Sequence, residues 1–484
     1  MNRAMRVHLH PFRILWLLLT VVLALTCFYL HKKNQDILWH SRQLNYVCNY
    51  SCSNLPYSRL EVDALYSQTS QQALQISHEL WHMGRAISNA SSFRDQLEDA
   101  SIQLEARLAV MNELIGESER RRARLIYLGK LLESQLNQLQ NPWNCNTAKF
   151  IVTELPNCGF GCQVHHVAMV FHMAFALNRT LYVKSDNWFD MFYPVTNCTH
   201  IGEDRINQPI LRGKMTLGQL APPGLRQDWA EALRTVHQFP YAWFRGNLIR
   251  YILRFKPTAF QKKLHSDLEK INTRPLVGVH IRRTDKLLSE AKYFPLSRYM
   301  ANVERVYQRF EIQEELMPQR EREKIQRIVV LASDNVDVFK EARLLYPDYN
   351  FIGDENRGNY YWTRNLKRGL ENIIYDIYSL ANCDFVVCTF SSNVCRLVYE
   401  LLLTDLRFAG DRTTHVQSID NIYTMHGQRQ RTWTVLGSAI GSDFRKGDIV
   451  VLSKNHWNGS VETADGKVLP AYMVQEDILR LPDH

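Results

Sequence analysis

The length, composition and charge of the chain limit what kind of protein it can be. Its 484 residues are too many for a single core, and at about 100 to 200 residues per domain they suggest two to four units. The hydrophobic fraction of 45% and the charged fraction of 22% are those of a globular protein. A net charge of +9 would suit nucleic acid, yet the basic residues are dispersed apart from Arg120–Arg124, and no nucleic-acid-binding motif occurs. We therefore expect no nucleic-acid partner and interpret that arginine run as a solvated helix face.

The N-terminus has the pattern of a membrane anchor. Residues 14–30 carry no charge, and three arginines precede them. A cleaved signal peptide is the alternative, but its apolar segment is usually shorter and ends in small residues, whereas this one ends in Cys27–Leu30. The basic tail favours a cytosolic N-terminus. We predict a cytosolic tail over 1–13, a signal anchor over 14–30 and a lumenal remainder, which makes a single-pass type II membrane protein.

Cysteine spacing indicates an oxidising compartment. Of the ten cysteines one, Cys27, lies in the predicted anchor, and the other nine fall in close groups, which leaves one thiol unpaired or intermolecular. Cys158 with Cys162, and Cys388 with Cys395, have the spacing of small disulfide loops; zinc is the alternative, but neither pair has the histidines of a structural zinc site. Asn-X-Ser/Thr triplets, usable for glycosylation in a lumenal chain, begin at Asn49, Asn89, Asn178, Asn197 and Asn458.

A segment poor in glycine and proline, residues 31–143, is predicted to be helical. Its apolar residues recur at spacings of three and four, which is the pattern of one helix face. They are Ile76, Leu80, Met83, Ile87, Leu97, Leu104, Leu108, Met111 and Ile115. Such a stripe needs a partner. The helix either packs on its own globular domain or forms a coiled-coil stem that makes the protein a homodimer, and we favour the stem.

Apolar runs and helical stretches alternate over 144–444. Four runs predict buried strands that end in polar residues: RTLYVKSD, PLVGVHIRR, RIVVLASD and DFVVCTFSS. Helices are predicted over Val164–Leu177, Ser297–Phe310, Val336–Leu345 and Asn365–Leu380. This alternation predicts an α/β fold with a parallel, doubly wound sheet. The exits of the last three strands would then meet on one edge and form a single site.

The last segment, residues 445–484, changes character again. Short β-prone runs, turn glycines and the sequence Leu-Pro-Ala-Tyr at 469–472 give it a resemblance to an SH3 domain, a small all-β barrel. The usual ligand of such a domain is a proline-rich peptide. In a secretory lumen we expect a structural or substrate-contacting module instead.

The stretch HIRRTDK, after the second of these strands, suits an anionic ligand. No GxGxxG, P-loop or Asp-x-Asp motif occurs, so a diphosphate would be held by protein cations rather than by a metal. Arg282 and Arg283 would clamp it, because the planar arginine fork donates two hydrogen bonds to phosphate. Glu290 would be the general base, with Asp285 and Lys286 positioning these groups. The alternative is a salt-bridge network at a strand end.

Two other predicted strand exits add polar groups at the same edge. Asp334 closes one strand, and Ser391 and Ser392 close another. Asp376, on the helix before the last strand, can accept two hydrogen bonds from a guanine edge. Each residue alone is more often structural, but in chain order they match a known pattern.

The stretch from Leu276 to Tyr299, together with NIIYDIYSLANCDFVVCTFSSNVCRLVYE, resembles the α-1,6-fucosyltransferases that place core fucose on N-glycans. The likeness runs from CGFGCQVHH through SIDNIY to the SH3-like end, and the anchor and stem fit it. It implies a Golgi enzyme with a GT-B-like core, in which 144–273 is the N-terminal α/β subdomain and 274–444 the Rossmann-type GDP-fucose-binding subdomain. Fucose would move from GDP-fucose to the 6-hydroxyl of the Asn-linked GlcNAc of N-glycan acceptors, with inversion and without metal or other cofactor.

The same resemblance implies roles for single residues. His280 and Asp376 would hold guanine, Arg282 would contact the β-phosphate, and Glu290 would be the base with Lys286 beside it. The implied donor-binding set is His280, Arg282, Arg283, Asp285, Tyr299, Asp334, Asp376, Ser391 and Ser392.

Outside the donor site, the resemblance implies an acceptor contact and three disulfides. His456 would let the SH3-like module touch the glycan. The disulfides would be Cys145–Cys198, Cys158–Cys162 and Cys388–Cys395. The chain also departs from the family pattern, because Asn335 stands where a second acidic residue is expected and Cys48, Cys52 and Cys383 are extra. A stem cysteine would be able to crosslink two chains.

Three other interpretations remain open: an inactive glycan-binding relative, a GDP-fucose enzyme with another acceptor, and a structural coiled-coil tether. Retention of Arg282, Lys286 and Glu290 argues against the first, because binding alone requires no base. The SH3-like module and the stem favour the N-glycan acceptor over protein hydroxyls or chitin-like oligosaccharides. Convergent polar strand ends argue against the tether.

Overall fold

A computed structural model describes most of the chain from residue 91 onward. The described residues are 91–114, 117–185, 188–199, 225–234, 236–237, 240–271, 273–284, 292–317, 324–358, 367–405, 415–420, 423, 432–437, 443–455, 460–470 and 473–476. The predicted cytosolic tail, the anchor and the first part of the stem lie outside these ranges. Within them, no helix has both the length and the apolar character needed to span a bilayer.

The first elements are two helices and a small parallel sheet. Helices α1 (Ser91–Leu114) and α2 (Glu117–Gln140) precede β1 (Phe150–Glu154). Helix α3 (Phe160–Ala176) then leads into β2 (Thr180–Lys184), which pairs in parallel with β1. Residues of α3 are buried on most sides, because this helix lies between the small sheet and other helices.

Three helices connect the small sheet to the large one. They are α4 (Gln227–Arg234), α5 (Pro240–Ile252) and α6 (Ala259–Glu269). Helix α5 contacts α3 and contributes a nearly continuous set of buried residues, including Trp243 and Phe244. It therefore belongs to the interior of the protein.

The large sheet has five parallel strands with helices on both faces. The strands are β3 (Leu276–Ile281), β4 (Ile328–Ser333), β5 (Asn350–Ile352), β6 (Phe385–Cys388) and β7 (Val416–Ser418). The helices are α7 (Leu296–Leu316), α8 (Asp337–Leu345), α9 (Lys367–Ala381) and α10 (Asn393–Leu403). Every residue of β3, β4 and β6 is buried, as their continuous apolar runs predict. The predicted parallel α/β fold is confirmed, and the predicted helices agree with α3, α7, α8 and α9 to within a few residues.

The strand order of this sheet is β5-β4-β3-β6-β7, and it creates a switch point. The chain runs outward from β3 to β5 and then returns to the other side of β3 with β6. In open parallel sheets, ligands bind in the crevice at the carboxyl ends of the strands where the order reverses. The exits of β3 and β6 flank that crevice.

Two hydrophobic cores lie on opposite faces of the large sheet. One face of β3, through Val277, Val279 and Ile281, packs with α7 and α8. The other core extends from α9 and α10 to α2, α3 and α5, so it joins the helices of the first part of the chain to the large sheet. Alternate burial on both faces is what fixes the register of the strands.

The described helices of the predicted stem pack on their own domain, and a coiled-coil stem that dimerises the chain stays a prediction. Glu105 on α1 is buried and forms ion pairs with Arg305 and Arg309 on α7, at 3.7 Å from the Arg309 guanidinium. The Gln140 side chain at the end of α2 accepts a hydrogen bond from the Leu181 backbone N–H at 3.0 Å. Four leucines of α2 lie in the main core: Leu125, Leu128, Leu132 and Leu136. These contacts place α1 and α2 against elements of the same chain.

The described chain ends in a five-stranded antiparallel sheet. Its strands are β8 (Thr432–Val435), β9 (Ile449–Asn455), β10 (Ser460–Thr463), β11 (Val468–Pro470) and β12 (Val474–Glu476), in the order β11-β10-β9-β8-β12. Trp433 and Val435 of β8 alternate into its small core. Because β8 pairs with both β9 and β12, this unit begins before residue 445, the boundary that the sequence predicts.

Candidate active site at the carboxyl edge of the large sheet

The predicted strand exits do come together at one edge of the large sheet. Strand β3 leads to Arg282, β4 leads to Asp334, and β6 leads to Ser391 and Ser392. Because β4 and β6 both pair with β3, the three exits are neighbours. This part of the site prediction is a consequence of the parallel strand order.

Asp334 organises the turn that follows β3. Its carboxylate accepts a hydrogen bond from the Arg283 backbone N–H at 2.7 Å and another from the Thr284 hydroxyl. The Arg282 Nε atom lies 3.6 Å from the same carboxylate. Asp334 therefore acts on the donor site through the residues it holds, and a direct donor contact by this side chain stays a prediction.

The two adjacent arginines have different surroundings. Arg283 forms a forked ion pair with Glu341 on α8 and lies over the Tyr293 ring, 5.0 Å from its centroid. Its guanidinium is directed to Glu341, and its predicted phosphate contact stays a prediction. Arg282 stays at the edge of the sheet with its side chain 18% exposed. It remains the better candidate for a phosphate ligand.

The turn after β6 has the features of an anion site. Helix α10 begins at Asn393, and its N-cap Ser392 makes no capping bond through its side chain in the described structure. The Oγ atoms of Ser391 and Ser392 are buried and have no hydrogen-bond partner among the described residues. Backbone N–H groups at a helix N-terminus attract anions, and here two hydroxyl groups stand beside them.

Several contacts hold this turn in place. Asp420 accepts a hydrogen bond from the Ser391 backbone N–H at 3.3 Å, and the Arg396 side chain donates to the Ser391 carbonyl at 3.2 Å. The Cys388–Cys395 disulfide ties the end of β6 to the first turn of α10. Asp420 lies in the SIDNIY stretch of the family resemblance, but sequence reasoning assigned it no role.

A second helix N-terminus approaches the same turn. The N-cap residue of helix α3 is Gly159, which has no side chain to cap the first N–H groups. A Cβ atom on Gly161 would lie 3.2 Å from the backbone carbon of Asn393, so glycine allows the first turns of α3 and α10 to pack closely. The loop CGFGC thus serves a close approach between two parts of the fold.

The predicted guanine carboxylate has an arginine partner that sequence reasoning missed. Asp376 on α9 accepts a hydrogen bond from Arg357 at 3.2 Å. Arg357 also pairs with Asp354 at 3.2 Å and lies over the Tyr375 ring, 3.8 Å from its centroid. The guanine contact of Asp376 stays a prediction, and it would share the carboxylate with Arg357.

His280 and Tyr299 lie beneath the edge. His280 is the fifth residue of β3, and its Nδ1 atom has no hydrogen-bond partner in the described part of the chain. Burial, assisted by the charge of Arg282, lowers the pKa of His280 to about 4, so the ring is neutral at neutral pH. Tyr299 is buried in the core on α7, and burial raises the pKa of its hydroxyl. Its predicted donor contact therefore stays a prediction, since the structure gives it a packing position.

Four predicted residues lie outside the described residues: Asp285, Lys286, Glu290 and His456. Their roles as positioning groups, general base and acceptor contact stay predictions.

Comparison with known proteins identifies the family. The family described as Alpha-(1,6)-fucosyltransferase N- and catalytic domains matches residues 59–424. This chain belongs to that family. The alpha-(1,6)-fucosyltransferase of Drosophila melanogaster is 34% identical over 391 residues, covering 73% of this chain and 61% of that protein. The Caenorhabditis elegans alpha-(1,6)-fucosyltransferase is 30% identical over 438 residues, covering 82% of this chain and 76% of that protein.

The similarity of this family member to solved structures is weaker. A mutant of Arabidopsis thaliana FUT1 in complex with GDP is 14% identical with a TM-score of 0.34, covering 61% of this chain and 77% of that chain. NodZ alpha-1,6-fucosyltransferase soaked with GDP-fucose is 16% identical with a TM-score of 0.33, covering 52% of this chain and 93% of that chain. Family membership therefore comes from the sequence relationships.

The three disulfides implied by the fucosyltransferase resemblance are confirmed. They join Cys145 to Cys198, Cys158 to Cys162 and Cys388 to Cys395. Cys383 is a buried thiol whose sulfur donates to the Ser379 carbonyl at 3.4 Å. The described residues contain no group of three or more His, Cys, Asp or Glu side chains that would hold a metal ion. Metal independence stays a prediction.

The largest feature that sequence reasoning missed is a buried cluster behind the α10 turn. Glu400 on α10 has no exposed side-chain surface and lies 3.1 Å from Arg245 Nε on α5 and 2.8 Å from His165 Nε2 on α3. The sequence offered only HH in the CGFGCQVHH stretch, which says nothing about a partner more than 200 residues away.

Proposed function

We propose that this chain transfers L-fucose from GDP-fucose to the 6-hydroxyl of the Asn-linked GlcNAc of N-glycans. Membership of the alpha-(1,6)-fucosyltransferase family supports the donor and the linkage. One observation carries the proposal. At the switch point between β3 and β6, Arg282 follows β3, and the α10 turn with its two buried serine hydroxyls follows β6. This arrangement suits a diphosphate.

The chemistry requires stabilisation of a departing diphosphate. The bond between the anomeric carbon of fucose and the β-phosphate oxygen breaks as the acceptor oxygen attacks from the opposite face, which inverts the centre. Negative charge grows on GDP, where Arg282 and the Ser391–Ser392 turn would receive it. The proton of the acceptor hydroxyl would pass to Glu290, with Lys286 beside it. Protein cations would take the place of a metal.

At the nucleoside end, His280 and Asp376 would hold guanine. The neutral His280 ring has one nitrogen that donates and one that accepts, so it suits a base edge. Asp376 would accept from guanine while it keeps its contact with Arg357. A GT-B-like arrangement, with the donor bound mainly by the large sheet, agrees with these positions.

The cellular setting is part of the proposal. Three disulfides suit an oxidising compartment, and residues 14–30 would anchor the enzyme in the Golgi membrane with its catalytic part in the lumen. The C-terminal antiparallel sheet would be the SH3-like module, with His456 reaching the acceptor. A homodimer would depend on residues 31–90, because α1 and α2 pack on their own domain.

A transfer assay tests the proposal directly. The full chain in detergent would receive GDP-fucose and a GlcNAc-terminated biantennary N-glycopeptide in EDTA, with Arg282→Ala, Glu290→Gln and the exposed control Lys263→Ala in parallel. We expect fucose on the 6-position of the innermost GlcNAc in the wild type and the control, and loss in the other two variants. Hydrolysis of GDP-fucose without transfer would point to another acceptor. Glycan binding without any turnover would favour an inactive glycan-binding relative.

A further inference from the structure

The buried cluster around Glu400 connects three helices. The Glu400 carboxylate on α10 contacts Arg245 of α5 and His165 of α3, and it also accepts a hydrogen bond from the Tyr423 hydroxyl. Gly246 allows this contact, because a Cβ atom there would lie 2.3 Å from the Glu400 carbonyl oxygen. The cluster therefore sits where the backbones of α5 and α10 pack closely.

The partners of Glu400 keep its buried carboxylate ionised. Burial by itself would raise the pKa of Glu400, but its contacts with His165, Arg245 and Tyr423 lower it, so the carboxylate is ionised. Burial lowers the pKa of His165, which favours a neutral ring. A neutral His165 donates its Nε2 proton to Glu400 and presents the Nδ1 lone pair to its other neighbour.

That other neighbour is the first residue of α10. His165 Nδ1 lies 3.0 Å from Oδ1 of Asn393, and a flip of that amide would let its N–H donate to the neutral ring. Asn393 and Glu400 are two turns apart on one face of α10. A single imidazole that contacts both fixes α10 in rotation and along its axis.

A second connection runs through Arg396. This arginine is fully buried one helical turn before Glu400, and it donates to the Ser391 carbonyl at 3.2 Å. Burial lowers the pKa of Arg396 to about 10, while the charge of Glu400 opposes the shift, so the side chain remains cationic at neutral pH. The cluster thus reaches both ends of the Ser391–Asn393 turn.

We propose that Glu400, His165 and Arg396 are positioning residues that set the Ser391–Asn393 turn for the donor diphosphate. The proposal rests on the proposed function, which places the diphosphate at this turn. All three side chains are buried, so they would act through the turn rather than on the donor itself. They hold the serine hydroxyls and the first N–H groups of α10 in register with Arg282 across the crevice.

The test separates positioning from stability. His165→Phe keeps a ring of similar size but loses both polar contacts, and Asn393→Ala removes the link from a partly exposed residue. In the full chain, we expect the KM for GDP-fucose and the Kd for GDP to rise about 10- to 100-fold in both variants, as for a small misplacement of a binding group. The KM for the glycopeptide should stay within about twofold of wild type.

Leu402→Val provides the matched control. Leu402 is fully buried in the C-terminal half of α10, so this variant should lower Tm without moving the phosphate turn. An equal rise in the GDP Kd in Leu402→Val, or no rise in His165→Phe and Asn393→Ala, would overturn the positioning proposal. Wild-type protein that binds GDP without transfer would refute only the proposed reaction, since the GDP Kd still reports positioning. Absence of GDP binding by the wild type would refute both.

Discussion

Two carboxylates, Asp334 and Glu400, lie on opposite sides of the same crevice and organise it in different ways. Asp334 holds the turn after β3 from the strand end, with 13% of its side chain exposed, whereas Glu400 supports the turn after β6 from an interior with no exposure. Each carboxylate contacts an arginine. Asp334 also accepts from the Thr284 hydroxyl, and Glu400 contacts the Tyr423 hydroxyl and the His165 ring. Water can replace the partners of the first but not those of the second.

The difference in exposure determines how much each set of contacts contributes to the free energy of unfolding. A partly exposed carboxylate that loses its partners can be solvated, so its hydrogen bonds contribute modestly. A fully buried charge has no such alternative, and removing one partner leaves the others uncompensated. Substitutions at the buried carboxylate should therefore lower the free energy of unfolding more than those at the partly exposed one.

Removal of Glu400 should have the largest effect. We expect Glu400→Ala to lower the free energy of unfolding by about 3 to 5 kcal/mol, because Arg245 and Arg396 lose their buried counter-charge. Urea unfolding followed by tryptophan fluorescence measures it. A loss below about 1 kcal/mol would show that the cluster is solvated despite its burial.

Arg282→Ala should remove most transferase activity. One preorganised electrostatic group at a developing charge contributes about 3 to 4 kcal/mol, so we expect kcat to fall about 10²- to 10³-fold. Arg282→Lys should restore little, because an ammonium group does not reproduce the guanidinium fork. Turnover near wild type in Arg282→Lys would contradict a phosphate role on the Asp334 side of the crevice.

His280 of β3, which lies near Arg282, should make the folded protein less stable at acidic pH. Its pKa is about 4 in the folded protein and 6.5 in the unfolded chain, so the unfolded chain binds more protons between these values. Stability is therefore lost as pH falls through that window, by about 2 kcal/mol between about pH 7 and pH 5. Comparison of urea unfolding at the two pH values checks this. His280→Gln should flatten the dependence; an unchanged slope would contradict a buried neutral ring.

Asp334→Asn should cost less than Glu400→Ala. We expect a loss of about 1 to 2 kcal/mol in the free energy of unfolding, since the amide keeps one acceptor for the Arg283 N–H. The exposed neighbour Asp337 offers a matched control, because Asp337→Asn should change stability by less than about 0.5 kcal/mol. A loss from Asp334→Asn as large as that from Glu400→Ala would remove the contrast between the two carboxylates.

The smallest effect is expected at a third carboxylate with several partners. Asp267 contacts Lys263 at 2.9 Å and Lys270 at 3.0 Å, but both lysine side chains are more than 70% exposed. Lys263→Ala should therefore change the free energy of unfolding by less than about 0.5 kcal/mol. A change above about 1 kcal/mol in the same urea experiment would show that the number of partners matters more than burial.

The strand exits were predictable because each is a local pattern. A continuous apolar run closed by Arg282, Asp334 or Ser391 indicates a buried strand and its polar end without knowledge of the partners. The same local evidence does not show that Arg283 pairs with Glu341, because two adjacent guanidinium groups look equivalent in the sequence. Nor does it show what α1 and α2 pack against, since an apolar stripe does not say whether its partner is a second chain or the same one.

The sequence by itself determined the parallel α/β fold, the three disulfide pairs through the family resemblance, and the family to which the chain belongs. Only the tertiary structure decided that β3 and β6 are neighbours at a switch point, and that Glu400 meets Arg245 and His165 behind the α10 turn. The physical reason is the range of the interactions. Hydrophobic periodicity and motifs act over a few residues, whereas a buried charge finds its partners only after helices distant in sequence have packed together.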